Sequence, residues 1–321
     1  MTMTESGNLP HIVVAALTYR RPGGLRTLLE ALRHQRSTIR PFRLTVVIVD
    51  NDRGSSRPVV EAFLAADMGY ALIYAVEERQ GIPIARNRAL DEAPADTDLF
   101  CFVDDDEWPV EGWLEAMLET RARTGADIVH GPVEPVFDPA GNAYFARGGV
   151  FADRRHPEGT QIGYAASNNV LMDLRRIRDL GLRFDERMRF TGGSDFLFFD
   201  QAVRRGLRIC WSAKAMVYDA IPASRMTWRW VLQRHYRLGN TFAVSSRIQD
   251  SRIRQLRLVA VGLMRVGLGA AMLPTLALSP YHGNRALAHL LRGAGILAGM
   301  FGHAYQEYAP ENLAALTPAS A

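Results

Sequence analysis

Residues 44–50 read LTVVIVD, an apolar and largely β-branched run that ends on an acid. A run of this length and composition predicts a strand that is buried on both faces of a parallel sheet. Similar runs lie on both sides of it: HIVVAAL at 11–17 precedes it, and YALIYAV at 70–76 and DLFCFVDDD at 98–106 follow it. The sequence therefore predicts four strands before residue 107, of which those at 11–17 and 44–50 are expected to be buried.

Helical patterns separate these strands. After the turn residues RPGG at 21–24, Leu25, Leu28, Leu29 and Leu32 form one apolar stripe at helical spacing. Further helices are predicted at 57–66 and 85–93. Strand and helix alternate four times, which is the pattern of a doubly wound α/β sheet.

Ligands of such sheets bind beyond the carboxyl ends of the strands. Asp50 and the triplet Asp104–Asp106 fall at two of these ends. No strand is followed by GxGxxG, and GxxxxGK[ST] does not occur. Both absences disfavour a dinucleotide-dependent dehydrogenase and a P-loop nucleotide hydrolase.

The rest of the chain divides into two parts. Residues 112–222 change to an α+β pattern, and residues 227–247 have a basic helical pattern. We therefore expect one α/β catalytic domain over 1–222 and a basic helical extension over 223–321. The length of 321 residues fits this division.

Arginine carries nearly all of the positive charge. The chain has 38 Lys and Arg against 34 Asp and Glu, a pI of about 9.3, and a single lysine, Lys214. Arginine matches phosphate with a planar fork, so the composition suits a polyanionic ligand or membrane headgroups. Genome base composition is the alternative reason for the preference. From Arg225 to Arg265, however, the only acid is Asp250.

Two apolar segments lie near the C-terminus, at 258–278 and 293–304. Arg265 and Pro274 interrupt the first segment, and the second is too short to cross a bilayer, so a clean transmembrane helix is not expected. We expect a helical hairpin at the membrane interface, or alternatively a buried helical pair in a soluble oligomer. The basic residues before the hairpin are Arg247, Arg252, Arg254 and Arg257.

The N-terminal residues have neither the basic nor the apolar region of a signal peptide. Cys101 and Cys210 lie far apart in apolar segments, which predicts two buried thiols rather than a metal site or redox pair. We therefore expect a cytoplasmic protein that is peripherally associated with the inner membrane.

The strongest chemical signal is FVDDDEW at 102–108. Adjacent carboxylates raise each other's pKa unless a cation lies among them, and Mg²⁺ is held by one or two carboxylates together with substrate phosphates. In an extended chain Asp104 and Asp106 would face one ligand while Asp105 points elsewhere. A solvated acidic turn before the helix at 112 is the alternative.

Two further motifs carry candidate site residues. In GGSDFLFF at 192–199, two glycines allow close backbone approach, and Asp195 is a candidate general base or simply a helix cap. In RHYRLGN at 234–240, Arg234 and Arg237 share a helix face and could hold a pyrophosphate, or form a solvated or membrane-proximal basic patch.

The order of these motifs resembles the family 2 inverting nucleotide-sugar glycosyltransferases, which have the GT-A fold. The resemblance covers residues 10–240. Within the family, the FVDDDE core, the GGSD variant and the tail GMFGHAYQEY look most like succinoglycan-type exopolysaccharide glucosyltransferases. The motifs that carry it are TYRRP at 18–22, VDN at 49–51, GIPIARNRAL at 81–90, and the three quoted above.

The resemblance implies roles for individual residues. Tyr19 would stack on the nucleobase, Asp50 would accept from its ring N–H, and Arg86 would help to hold the nucleotide. Asp104 would contact the ribose or donor sugar, and Asp106, together with Asp104, would hold a divalent Mn or Mg ion. Asp105 would also contribute to nucleotide binding. Asp195 would deprotonate the acceptor hydroxyl, and Trp108 and Asn169 would border the sugar sites.

The implied reaction transfers a sugar from a nucleotide sugar to a lipid-linked or polysaccharide acceptor. The first choice of sugar is glucose, from a UDP-sugar. Ser194 stands where the family commonly has an acid, which changes the acceptor contacts. The chain has RHYRLG instead of the QxxRW of processive synthases, which favours one sugar per encounter. The alternatives are a sugar nucleotidyltransferase and a non-catalytic scaffold of a polysaccharide assembly complex. The arginines do not interleave with an aromatic platform, so nucleic acid is not an expected partner.

Overall fold

A computed structural model describes residues 9–37, 40–152 and 154–309. Its strands are β1 His11–Thr18, β2 Arg43–Asp50, β3 Ala71–Val76, β4 Leu99–Val103, β5 Glu107–Pro109, β6 Ile128–His130, β7 Val133–Phe137, β8 Gln161–Ile162, β9 Asn169–Asp173, β10 Ile209–Trp211 and β11 Val217–Ile221. Its α-helices are α1 Pro22–Arg33, α2 Arg57–Leu64, α3 Ile82–Glu92, α4 Trp113–Thr124, α5 Ala143–Arg147, α6 Leu174–Asp179, α7 Ser194–Arg204, α8 Trp228–Gln249, α9 Arg252–Met272 and α10 Pro280–Met300.

Eight strands form the main sheet, in the order β3-β2-β1-β4-β9-β6-β10-β8. Strands β1 to β4 run parallel, β9 is antiparallel to β4 and β6, and β10 is parallel to β6. A second sheet has the order β5-β11-β7. The predicted doubly wound, mostly parallel sheet is confirmed, and in register Asp50 lies opposite Thr18 and Val76.

Hydrophobic cores cover both faces of the main sheet. Alternate residues of β1 enter different cores: Ile12 and Val14 pack with the leucine stripe of α1, and Val13 and Ala15 pack on the other face with Ala85 of α3. The four leucines of that stripe are at most 1% exposed. Strands β1, β2 and β4 read as continuous apolar runs because both of their faces are buried, whereas β3, at the edge of the sheet, is only half-buried.

The fourth strand is shorter than predicted. It ends at Val103, and the triplet Asp104–Asp106 lies in a turn that Glu107 N closes by donating to Asp104 O over 3.2 Å. The prediction of one strand over 98–106 was wrong, because carboxylates in a continuous ladder would repel each other and lose hydration. The alternation argument for Asp104 and Asp106 therefore does not apply.

The chain divides into two compact units. The first unit comprises residues 1–134, 153–184 and 198–219, and it holds the main sheet. The second unit comprises residues 135–152, 185–197 and 220–321. Its last segment begins close to the boundary expected at 222, and two earlier segments, one of them carrying Asp195, belong to the same unit.

Glycines bring the long helices of the second unit together. A Cβ on Gly239 of α8 would lie 2.0 Å from Arg292 O of α10, and one on Gly295 would lie 2.1 Å from Tyr236 O. On the other side of α10, a Cβ on Gly293 would lie 2.8 Å from Val266 N of α9. The backbones thus approach more closely than any larger residue would allow.

The apolar C-terminal segments form two helices, α9 and α10, joined through a 3₁₀ turn at Leu273–Ala277. The described residues contain one segment, Arg252–Ala277, that is long and apolar enough to cross a membrane, with a mean hydropathy of 1.7. The sequence predicted no clean transmembrane helix here. In the structure, however, only 17% of an apolar 18-residue stretch of this segment is buried. Its exposed apolar side chains include Ile253, Leu256, Leu263, Met264 and Leu268. Cys101 and Cys210 are free and buried, as predicted.

Candidate active site

The acid-rich turn after β4 is the candidate active site of the first unit. Asp105 and Glu107 are buried, and Asp104 and Asp106 are half-buried. Asp104 N donates to Glu107 Oε2 over 3.3 Å, and Asn168 Nδ2 donates to Glu107 Oε1 over 2.9 Å. Asp219 of β11 lies opposite Glu107 in the strand register and adds a further carboxyl group.

Burial shifts Asp104, Asp105 and Glu107 toward their protonated forms. Burial raises the pKa of Asp104 to about 7, and the charge of Asp106 adds to the shift. Burial also raises the pKa of Asp105 to about 6, against the effect of Arg21. The pKa of Glu107 lies well above its usual value because of burial and the charge of Asp104. These carboxylates therefore gain stability from any cation that joins them.

Arg21 supplies such a cation from within the chain. Its Nη1 donates to Asp105 Oδ1 over 3.1 Å and to Asp106 Oδ2 over 2.9 Å. Burial lowers the pKa of Arg21, but the charges of Asp106 and Asp105 more than offset this and raise it above its usual value. Sequence reasoning missed this residue, although RRPGG begins only two residues after the last residue of β1.

Gly24 allows α1 to meet the acidic turn. A Cβ at this position would lie 2.4 Å from the carbonyl oxygen of Asp105, whereas one at Gly23 would have no atom within 4 Å. Glycine at 24 thus brings the first turn of α1 directly against the triplet.

The donor set suits a divalent cation that shares its ligands with a substrate. No group of three or more His, Cys, Asp or Glu residues able to hold a metal occurs in the part of the chain that the structure describes. Asp104 and Asp106 provide two carboxylates, and Mg²⁺ and related ions complete such a pair with phosphate oxygens and water. The residues present therefore fit an ion that arrives with a diphosphate.

Asp50 is committed to its own loop. It is fully buried, its Oδ1 accepts from Asp52 N over 2.9 Å, and its Oδ2 accepts from Ser56 N and Tyr74 OH, each over 2.8 Å. In this conformation the carboxylate shapes the loop after β2. Contact between Asp50 and a nucleobase stays a prediction. It requires the ring N–H of the base to replace one of these three donors.

Tyr19 lies where three strand-end loops meet. Gln80 Nε2 donates to its hydroxyl over 3.1 Å, and the Arg20 guanidinium lies 5.0 Å from its ring centroid. Arg20 has a φ of 56° and pairs with Asp52 over 2.8 Å. Asn51, which sequence reasoning missed, ties the loops together by accepting from Gly81 N over 2.9 Å and donating to Glu77 O over 2.8 Å.

Arg86 of α3 is the second cation near the acids. It is 8% exposed, its guanidinium lies 5.3 Å from the ring centroid of Phe184, and its charge lowers the pKa of Asp104. The structure thus brings Arg86, Asp104, Asp105 and Asp106 into one electrostatic group. Arg21 joins them, so two guanidinium groups serve three carboxylates.

The two residues predicted to border the sugar sites differ in their surroundings. Asn169 is fully buried, donates to Pro132 O and Ala215 O, and accepts from Trp113 Nε1, each over 2.8 Å. All of its polar atoms are used in the core, so that expectation was wrong for Asn169. Trp108 is half-buried, with its ring centroid 5.7 Å from that of Tyr218.

The GGSD segment forms a tight loop in the second unit. Gly192 and Gly193 have φ values of 74° and 73°. A Cβ on Gly193 would lie 1.9 Å from Thr241 Cγ2 of α8, so only glycine fits. Asp195 follows in the first turn of α7, is half-buried, and accepts from Phe196 N over 2.8 Å.

Arg234 and Arg237 of α8 are both largely buried rather than a solvated patch. Arg237 pairs with Glu307, and burial lowers its pKa while the charges of Tyr308, Glu307 and Asp195 raise it to a net increase. Burial and the charge of Arg237 lower the pKa of Arg234 to about 10. Arg237 and Asp195 therefore belong to one electrostatic group. The charges around Arg234, in contrast, are mostly those of other arginines.

The profile of Glycosyl transferase family 2 matches residues 13–177, which span β1 to α6 and contain the acidic turn. The chain belongs to glycosyl transferase family 2.

A curated relative extends this similarity beyond the profile. The succinoglycan biosynthesis protein ExoM of Rhizobium meliloti (strain 1021) is 30% identical over 295 residues, which cover 91% of this chain and 93% of ExoM. This family 2 chain is therefore similar to ExoM through the helical region as well.

Solved structures share the fold of this family 2 chain. The mannosyltransferase PcManGT from Pyrobaculum calidifontis, in complex with GDP-Man and Mn²⁺, has a TM-score of 0.54 at 16% identity and covers 97% of this chain and 79% of that one. S. aureus TarS 1–349 in complex with UDP has a TM-score of 0.51 at 18% identity, covering 92% and 93%. The GT-A architecture expected from the sequence is confirmed.

Proposed function

We propose that the protein is a metal-dependent inverting hexosyltransferase of polysaccharide biosynthesis. It transfers a sugar from a nucleotide-diphospho-sugar to a hydroxyl group of a lipid-linked or polysaccharide acceptor. UDP-glucose is the first donor to test, because ExoM is a succinoglycan biosynthesis protein and TarS has been crystallised with UDP. Family membership supports the reaction class, and the donor remains part of the proposal.

The acidic turn carries the proposal. Three carboxylates, those of Asp104, Asp105 and Asp106, lie beside two arginines at the end of β4, and the pKa values of Asp104 and Asp105 are raised. A nucleotide sugar needs this arrangement, because its leaving group is a diphosphate that gains negative charge as the glycosidic bond breaks.

Each residue in the first unit then has a role. Asp104 and Asp106 would hold a Mn or Mg ion, which when bound supplies positive charge to the leaving diphosphate. Arg86 and Arg21 add guanidinium donors for phosphate oxygens, and Tyr19 stacks on the nucleobase. Asp50 and Asn51 keep the surrounding loops in shape.

In the second unit, Asp195 acts as the general base. It accepts the proton of the acceptor hydroxyl while that oxygen bonds to the anomeric carbon from the side opposite the diphosphate. The bond from the anomeric carbon to the diphosphate breaks, the nucleoside diphosphate leaves, and the configuration inverts. A positioned base of this kind contributes about 10²–10⁴-fold.

Nucleotide binding tests the role of the acidic turn. Calorimetric titration with UDP-, GDP- and dTDP-sugars in Mn²⁺, Mg²⁺ or EDTA should show one nucleotide that binds only with a divalent cation. Asp106→Ala should abolish the metal-dependent part of the affinity, whereas Asp91→Ala, an exposed acid on α3, should leave it unchanged. Unchanged affinity in Asp106→Ala would remove that residue from the metal site.

We also propose that α9 holds the protein at the inner face of the cytoplasmic membrane. Its exposed apolar side chains, Leu256 and Leu263 among them, occur together with the exposed Arg252 and Arg257. This combination matches an anionic lipid surface. Leu256→Gln/Leu263→Gln should reduce sedimentation with phosphatidylglycerol vesicles, and Leu64→Gln, an exposed leucine of α2, should not. Concentration-dependent dimerisation without vesicle binding would instead support the oligomer.

A further inference from the structure

The three long helices of the second unit carry far more positive than negative charge. Residues 228–300 contain ten arginines and one acid, Asp250. Asp250 is already engaged, because its carboxylate accepts from Ser246 Oγ over 2.9 Å and from Arg254 over 3.4 Å. The remaining arginines of these helices therefore have no carboxylate from α8, α9 or α10 to balance them.

Three of these arginines lie in the interior of the helical group. Arg234 comes from α8, Arg265 from α9 and Arg292 from α10, and each side chain is partly buried. The Nε of each is fully buried and has no hydrogen-bond partner among the described residues. A buried guanidinium donor without an acceptor is costly, and arginine cannot escape the cost by losing its proton.

Backbone packing places Arg265 and Arg292 at one level of the helices. The carbonyl of Arg292 lies against Gly239 of α8, and its neighbour Gly293 lies against Val266, the residue after Arg265. His289, one turn before Arg292 on α10, also has a buried ring nitrogen, Nδ1, without a partner. Arg265, Arg292 and His289, from α9 and α10, are thus grouped together.

Their electrostatic interactions agree with this grouping. Burial and the charges of Arg237, Arg225 and Arg292 lower the pKa of Arg234, and burial and the charge of Arg265 lower the pKa of Arg292. Burial and then the charge of Arg265 lower the pKa of His289. The group repels itself in the ligand-free protein, and an anion among these residues would relieve the repulsion.

We infer that Arg234, Arg265 and Arg292, with His289, form a binding site for the diphosphate group of a lipid-linked acceptor. Guanidinium groups pair with phosphate oxygens in a fork geometry, and three of them suit a multiply charged diphosphate better than a single carboxylate. The apolar part of the ligand has its counterpart on α9, where Met264 and Leu268 are exposed beside Arg265. The identification of the ligand as an acceptor rests on the proposed function, whereas the anion site itself does not.

The pair Arg234 and Arg237, predicted from sequence to hold a pyrophosphate, divides under this inference. Arg237 pairs with Glu307 and interacts with Asp195. Arg234 interacts with Arg237, Tyr308, Arg225 and Arg292, and none of these four partners is a carboxylate. Arg234 is therefore assigned to the site for the acceptor diphosphate. Arg237 is assigned to the segment that carries the general base.

Inorganic pyrophosphate is the first probe, used with the full-length protein in EDTA and without nucleotide sugar. We expect saturable binding by calorimetry that falls about tenfold or more in Arg265→Gln and in Arg292→Gln. Arg229→Gln, an exposed arginine of α8, is the matched control and should change the affinity less than twofold. Equal losses in all three variants, or no saturable binding, would overturn the site.

Thermal melting separates a binding role from a structural one. Because the cluster repels itself, Arg292→Gln should melt no lower than wild type without ligand and should lose the stabilisation that pyrophosphate gives to wild type. A lower melting temperature together with unchanged pyrophosphate stabilisation would assign Arg292 to packing alone.

Two further measurements identify the source of the diphosphate. Vesicles that contain a long-chain polyprenyl diphosphate should bind wild type more tightly than phosphatidylglycerol vesicles of equal surface charge, and Arg265→Gln should remove that difference. Equal binding to both vesicles would make the site a general headgroup site, and displacement of pyrophosphate by UDP would make it a donor site. Either result overturns the acceptor assignment. Because no sugar transfer is measured, these outcomes do not depend on whether the proposed reaction is correct.

Discussion

Arg21 Nη1 lies 2.9 Å from Oδ2 of Asp106, so the first turn after β1 supplies a cation to the turn after β4. The same nitrogen lies 3.1 Å from Asp105 Oδ1. In the metal-free protein this guanidinium balances part of the negative charge that the proposed metal ion would neutralise. The acidic turn is thus held in place by a side chain from the turn after β1.

Replacing Arg21 with glutamine should destabilise the metal-free protein. The acids then lose their internal cation, and because Arg21 is 47% exposed the loss is limited by solvent screening to about 1 kcal/mol of unfolding free energy. Mn²⁺ should raise the melting temperature of Arg21→Gln more than that of wild type. Thermal denaturation in EDTA and in Mn²⁺ measures both effects.

The matched control for this change is Arg26→Gln, an exposed arginine of the same helix α1. It removes the same charge without touching the triplet and should melt like wild type in both buffers. If Arg26→Gln and Arg21→Gln behave alike, the ion pairs with Asp105 and Asp106 do not stabilise the turn.

Gly24 and its neighbour Gly23 form a natural pair of test and control. A Cβ at 24 meets the Asp105 carbonyl at 2.4 Å, so Gly24→Ala should push the acidic turn away and cost about 1–3 kcal/mol of stability. Gly23→Ala meets nothing within 4 Å and should be neutral or stabilising. Denaturant unfolding of both variants decides the point, and equal stabilities would show that α1 does not fix the turn.

Asp195→Asn should lower sugar transfer by about 10²–10⁴-fold, because the amide cannot accept the proton of the acceptor hydroxyl. Nucleotide affinity should stay at the wild-type value, since the nucleotide-binding residues lie in other segments. Asp200→Asn, on the same helix but paired with Arg204 over 2.6 Å, is the control and should retain activity. Near-normal turnover by Asp195→Asn would remove this residue from the mechanism.

His235 should make the protein less stable in mild acid. Its side chain is 1% exposed and its Nε2 lies 2.8 Å from Asn284 Oδ1. Burial lowers its pKa to about 4 from a usual 6.5, with the charges of Arg292 and Arg234 adding to the shift. Between these values the unfolded chain binds a proton that the folded chain excludes. Stability should therefore fall as pH decreases from 6.5 toward 4, by up to about 1.4 kcal/mol per pH unit.

The measurement is the unfolding free energy of wild type and His235→Gln between pH 7.5 and 4.5. The variant should lose less stability than wild type across this window, whereas His34→Gln, an exposed histidine, should follow the wild-type profile. An equally steep decline in His235→Gln would show that His235 does not cause the acid sensitivity.

Much of the fold could be predicted from the sequence because burial leaves a pattern. The β1 to β3 strands are continuous apolar runs, and the α1 stripe from Leu25 to Leu32 repeats at helical spacing. The turn at Asp104–Asp106 could not be predicted this way, because three acids are compatible with both a strand end and a turn. Hydrogen bonding between Glu107 and Asp104 decides between them.

The site could be predicted in outline but not in its partners. The acids after β4 stand out as a charge run, and the glycines before Asp195 stand out as a pair. Arg21 and Asp105 are 84 positions apart, so no local pattern links them. Asn169 shows the opposite failure: the family resemblance implied a place beside the sugar sites, but its amide satisfies two buried carbonyls.

The central claim is glycosyl transfer from a nucleotide sugar, and product analysis tests it most directly. The protein is incubated with UDP-glucose, Mn²⁺ and a lipid-linked acceptor, and phosphorus and proton NMR follow the products. We predict release of UDP in equal amount to the sugar transferred, with inversion at the anomeric carbon. Release of glucose 1-phosphate would indicate nucleotidyl transfer, and retention of the anomeric configuration would exclude a single displacement assisted by Asp195. Either result would contradict the proposed function.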